Sequence, residues 1–189
     1  MATGDKLISA ILTINPKLND QTFTEAFGKR NGTRLRCLKH IQGGSFNLLS
    51  MKGTFDMVKK DVPESKLFIY ESSCAPSQKL KEDSKDAFHN LRLCIELTDH
   101  EKFIKYSSHP MTSCGCPNGC IPCAHKGAAI CLLHSIVHFC EKYKERHTED
   151  NDDEANDRED GMPNFEQIVT HYPPPVHELM KTPVTTDYA

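Results

Sequence analysis

The sequence predicts an α+β fold, a small antiparallel sheet or hairpin followed by a helix, and three observations point there. Residues 90–97 alternate Leu91, Leu93, Ile95 and Leu97 against Arg92, Cys94 and Glu96, the period of two expected of a strand with one buried face. Residues 123–145 place Ala128, Cys131, Leu132, Ser135, Ile136 and Phe139 three or four apart, the period of a helix. Between these stretches, four cysteines and a histidine fall within twelve residues. Packing alone does not require that density, because Leu, Ile and Val suffice for a small core.

The chain divides by composition into three regions. Residues 1–60 read as an N-terminal helical and basic region, 61–146 as a strand-rich region whose centre is 90–140, and 147–189 as an acidic, proline-containing disordered tail. At 189 residues, with 38% hydrophobic residues and no Trp, one modest domain with tails is the expected organisation.

Taken in order, Leu7, Ile8, Ile11, Leu12 and Ile14 predict a short helix over 6–14, which Asn15-Pro16 stops. Phe23 and Phe27, four apart, suit one face of a packed element. Lys29, Arg30, Arg34, Arg36 and Lys39 make a basic segment, read either as a solvated face or as a phosphate-contacting loop or strand. Gly43-Gly44-Ser45 marks a loop but lacks the Lys-Ser or Lys-Thr of a phosphate-binding loop, so nucleotide binding is not implied. Residues 66–73 carry the aromatic and β-branched content of a strand, and 74–85 read as a loop. After the strand at 90–97, a turn at 98–101 lets residues 102–107 return as its hairpin partner. Pro122 stands where it starts the following helix, and Lys142, Lys144 and Arg146 suit that helix's negative end. In the tail, residues 161–169 are expected to form a brief helix on binding.

The cluster reads Cys114-Gly-Cys116-Pro-Asn-Gly-Cys120-Ile-Pro-Cys123-Ala-His125. A Cys-x-Cys pair at the end of a hairpin and a Cys-x-His pair entering a helix bring four donors to one ion. Cys114, Cys116, Cys123 and His125 then form a tetrahedral shell of three sulfurs and one nitrogen, which suits structural Zn2+. Cys120 is a fifth possible ligand, either replacing one of these or pairing with Cys123 as a redox couple. His134 and His138 share a helix face with Cys131 and are read as packing, because Ser135 stands where a His-Glu-x-x-His protease carries its base. His147-Thr-Glu149 fits the His-x-Glu of a zinc deaminase but follows the cysteines, in the wrong order for one.

The order of hairpin, Cys-x-Cys, and Cys-x-His at a helix start, with Ala128-Ala129 following, resembles the SWIM zinc finger over residues 91–139. A further likeness extends upstream: Lys66-Leu-Phe-Ile-Tyr and Cys74-Ala-Pro-Ser look like the region preceding SWIM in invertebrate proteins that carry a YqaJ-type viral recombinase nuclease. The likeness stops short of that nuclease, whose activity is not implied. What the SWIM resemblance implies is a binding module for DNA or a protein partner, found in recombination-, chromatin- and transposon-related proteins.

Four protein ligands leave no open position on zinc for water, and no nucleophile stands beside a recognisable base, so no catalytic residue is expected. Neither a membrane span nor a secretory signal is expected, and no small-molecule substrate is implied. Nine cysteines, five of them scattered outside the cluster, suit a reducing compartment, nuclear or cytoplasmic. The formal charge is −3, but residues 148–160 hold eight acidic residues and one Arg; the remainder has 22 basic against 18 acidic residues, a mildly basic balance. Arg30, Arg34, Arg36, Lys39 and Lys126 are the expected phosphate contacts, with affinity that falls steeply as salt rises.

Overall fold

The computed structural model describes residues 1–18, 31–58, 65–76, 88–107, 111–117, 123–149 and 162–171. Their architecture is α+β, with helices α1 (Gly4–Ile14), α2 (Asn31–Gln42), α3 (Ala124–Glu149) and α4 (Phe165–Thr170). The strands are β1 (Phe46–Val58), β2 (Ser65–Cys74), β3 (His89–Leu97), β4 (Phe103–Tyr106) and β5 (Ser113–Cys114). They form one antiparallel sheet in the order β1-β2-β3-β4, and β5 pairs with β3 beyond the end of β4. Strands β1 and β2 pair across residue 60, so the N-terminal and strand-rich regions of the sequence share one sheet.

Helix α1 follows its apolar spacing: Leu7, Ile8, Ile11 and Ile14 are buried together. Asn15 ends it in the left-handed conformation (φ 50°) and donates its N–H to the Ile11 carbonyl. Of the basic segment, read as a solvated face or as a phosphate-contacting loop or strand, residues 31–42 form the helix α2. Gly44, at φ 63°, turns the chain from α2 into β1.

Strand β1 has no counterpart among the sequence expectations. Its register with β2 shifts between Asn47 and Lys52, so the alternation that starts with buried Phe46 and Leu48 is interrupted. Ser50 stitches the irregularity: its hydroxyl donates to the Asn47 carbonyl at 2.6 Å and accepts the Ser73 N–H at 2.9 Å. Gly53 follows, where a Cβ would lie 2.5 Å from Phe68 Cζ and 2.8 Å from Leu7 Cδ1. The close approach of β1 to α1 and to the Phe68 ring therefore requires glycine.

The alternating strand is β3. Leu91, Leu93, Ile95 and Leu97 are buried, and the paired Phe68 and Tyr70 of β2 extend the same inner face. The outer face carries an exposed row of alternating charge, Lys52, Glu71 and Arg92, on three neighbouring strands. The expected turn joins β3 to β4: Thr98 and Lys102 are bonded across it, and Glu101 takes φ 58°. Lys102 Nζ donates to the Thr13 carbonyl at 2.8 Å and fastens this turn to α1.

Helix α3 is buried almost all round in its first half, from His125 to Leu133, because α2 packs on it while another side faces the sheet. Cys37 Sγ donates to the Ala124 carbonyl at 3.4 Å and joins α2 to the start of α3.

The tail expectation is corrected in part. Residues 162–171 form a turn and the helix α4, capped reciprocally by Asn164 and Gln167. They dock on the rest of the fold: the Phe165 N–H donates to Asp5 Oδ1, Gln167 Nε2 donates to Tyr143 Oη, and Ile168 is buried. The rest of the tail lies outside the described residues, as do Phe23 and Phe27.

Candidate metal centre

Each donor reaches the site through an element whose local sequence explains its place. Cys114 ends β5 as the Cα partner of Leu91, so it shares the buried face of β3. The Gly115 N–H continues the pairing by donating to the Asn90 carbonyl, and Cys116 follows in the bend after it. Cys123 immediately precedes α3. Its Sγ accepts the Lys126 N–H at 3.5 Å, and its carbonyl accepts the Gly127 N–H at 3.2 Å. A sulfur thus takes the place that a Ser or Asp oxygen holds at a helix N-cap, where the helix dipole favours negative charge. His125 lies one residue inside the first turn and is buried.

The donor atoms of Cys114, Cys116, Cys123 and His125 all lie within 4.8 Å of one another. All four residues are buried. A hydrogen bond from the Cys114 thiol, helped by His125 and the Lys126 N–H, holds the Cys123 thiol well below the usual range. The same bond, with burial, pushes Cys114 up. Negative charge is therefore favoured on Cys123, and a bound cation would favour loss of the Cys114 proton as well. A buried, convergent, thiol-rich donor set of this kind fits a metal ion.

The chain matches no family model, no curated protein and no solved structure.

The sequence-predicted residues fare differently. The four ligands converge, whereas Cys120 lies outside the described residues, as does Arg30. Arg34 is on α2, where Arg36 and Lys39 are exposed. Lys126 is only 4% exposed, so it does not present its ammonium to a phosphate as expected. It occupies the first turn of α3, where its backbone N–H reaches Cys123 Sγ. His134 and His138 join no group of metal donors among the described residues. No helix among those residues is long and apolar enough to cross a membrane.

Sequence reasoning missed three residues beside the centre: His40, Cys74 and His89. The His40 and His89 rings lie 4.7 and 4.9 Å from that of His125, and Cys74 Sγ is 3.9 Å from His40 Nδ1. Burial and the neighbouring His125 push the His40 imidazole down to about 4, which keeps it neutral near pH 7. These residues are isolated in sequence, and only the pairing of β2 with β3 and the packing of α2 on α3 bring them together.

No disulfide joins the described cysteines, and all of them are buried. Burial pushes the thiols of Cys37, Cys74 and Cys140 up to about 12, far from the reactive thiolate form. With metal bound, brief iodoacetamide treatment at pH 8 is expected to leave Cys37, Cys74, Cys94, Cys131 and Cys140 unmodified; after chelation, all five become labelled. Peptide mass spectrometry reads the pattern, and rapid labelling of these thiols with metal in place would contradict it.

Proposed function

We propose that the chain is a non-catalytic binding module, held together by structural zinc at Cys114, Cys116, Cys123 and His125, that binds nucleic acid through the basic face of α2. The observation that carries the reading is the placement of that helix. Its inner side is anchored at the metal centre through Cys37 and His40, while Arg36 and Lys39 stand exposed. Zinc is the favoured ion because three thiolates and an imidazole form a closed tetrahedral set of the kind found in structural zinc sites. The metal fixes α2 on α3, so guanidinium and ammonium groups are presented from a rigid element and lose less freedom on meeting phosphates. Lys144 and Arg146, exposed towards the end of α3, add positive charge, while Lys142 there is ion-paired with Glu145 at 2.7 Å.

The resemblance to the SWIM finger supports this reading through the same order of elements: a hairpin, Cys-x-Cys, then Cys-x-His at a helix start. Binding of the zinc-loaded chain to a fluorescent DNA duplex, measured across a salt series, tests it. Affinity is expected to fall steeply with salt, and Arg36→Ala to lower the slope of log K against log salt by about 1. Absence of salt-sensitive association at low ionic strength would sink the proposal.

A second reading, a protein-interaction adaptor in a recombination-, chromatin- or transposon-related complex, draws on the exposed apolar side chains Leu49, Phe55, Phe88 and Ile104. Nuclease-resistant co-purification with one defined partner, lost on replacing Leu49 and Ile104 by Ser, distinguishes it from the first.

A further inference from the structure

The end of the sheet that carries Cys114 gathers a second group of soft donors. Cys74, the last residue of β2, is the Cα partner of His89, the first of β3, and partners across an antiparallel pair direct their side chains to the same face. His40, in the last turn of α2, comes down on that face with Nδ1 3.9 Å from Cys74 Sγ. The donor atoms of His40, Cys74 and His125 all lie within 4.8 Å of one another, and the three residues are buried. The ring of His89 lies against His125 from the sheet side. Three imidazoles and a thiol are thus collected where apolar side chains would fill the space without the cost of burying polar atoms.

We propose that His40, Cys74 and His125 hold a second zinc-class ion beside the Cys3His centre, with the His89 ring at the rim of the group, 4.9 Å from that of His125. A mixed nitrogen and sulfur set selects zinc-class ions over magnesium and calcium, which take oxygen ligands. The proposal rests on the Cys3His reading in one respect, that His125 serves both ions. An imidazole carries two ring nitrogens, and each can bond an ion once the ring has lost its N–H proton. Loading the second ion on the neutral protein therefore releases two protons, one from the Cys74 thiol and one from the His125 ring, while His40 binds as a neutral imidazole.

The test is a titration of the full metal-stripped chain with cobalt(II), read by the thiolate-to-metal charge-transfer band, and with zinc, read as ions retained per chain after gel filtration. The wild type is expected to take two equivalents. The second step should add about a third of the charge-transfer intensity of the first, one thiolate against three. Cys74→Ser and His40→Gln should each lower the count to one and leave the first step and the far-ultraviolet dichroism intact. If Cys74→Ser fails to fold, His40→Gln decides alone, and retention of two equivalents in that variant overturns the proposal. One equivalent in the wild type, unchanged in His40→Gln, overturns it while the Cys3His reading stands. Absence of binding in the wild type sinks both.

Discussion

Replacing Cys123 by Ser is expected to abolish metal binding at the Cys3His centre and, with it, the cooperative unfolding of the chain. Cys123 is at once a proposed ligand, the cap of α3 and the sulfur on which negative charge is concentrated. Structural zinc contributes roughly 10–16 kcal/mol of apparent binding free energy at neutral pH, against about 5–15 kcal/mol for the whole stability of a typical domain. Losing the ion therefore removes a quantity comparable with the stability itself. The elements that meet at the site, β5, α2 and α3, should loosen together. Metal analysis with thermal unfolding followed by circular dichroism checks this; a variant that keeps one zinc and the wild-type transition would contradict it. Cys120→Ser, by contrast, is expected to keep both. The pH dependence has a definite sign. Cys114 is protonated in the metal-free site, and binding an ion there releases its proton to solvent, so metal affinity, and the stability that depends on it, falls as pH falls.

Phe68→Ala is expected to cost the metal-loaded protein about 3–5 kcal/mol, a large share of what a domain of this size holds. The ring is fully buried, lies 5.1 Å from that of Phe55, and its strand partner on the other side is Ile95. It also fills the space that Gly53 leaves open between β1 and α1. Three strands and a helix therefore border the cavity that the substitution creates, and strand pairing limits how far they can collapse into it. Urea unfolding in the presence of zinc measures the loss. A change below about 1 kcal/mol would show that the core relaxes around the site.

Local pattern carried much of the fold to the reader of the sequence. Residues 90–97, the turn after them and the helix following the cysteines were legible because one buried face imposes a period of two or of three to four. The four ligands were legible because both pairs are short and adjacent in sequence. What was not legible depends on long-range contact. The irregular pairing of β1 breaks its alternation, and Gly53 lowers its strand signal, although the glycine is there to admit Phe68 and Leu7. Helix α2 carries mostly polar residues and declares itself through the helix and metal centre it packs on. The burial of Lys126 follows from the same packing, which no local charge pattern records. His40, Cys74 and His89 are separated in sequence and meet only when β2 pairs with β3. Docking of residues 162–171 likewise depends on Asp5 and Tyr143, which composition does not connect to a polar tail.

The metal is expected among Cys114, Cys116, Cys123 and His125. Zinc-edge X-ray absorption on the chain loaded with one equivalent of zinc tests it most directly. The predicted shell has three sulfurs at about 2.3 Å and one nitrogen at about 2.0 Å. A four-sulfur shell, which would bring Cys120 in and put His125 out, would contradict it.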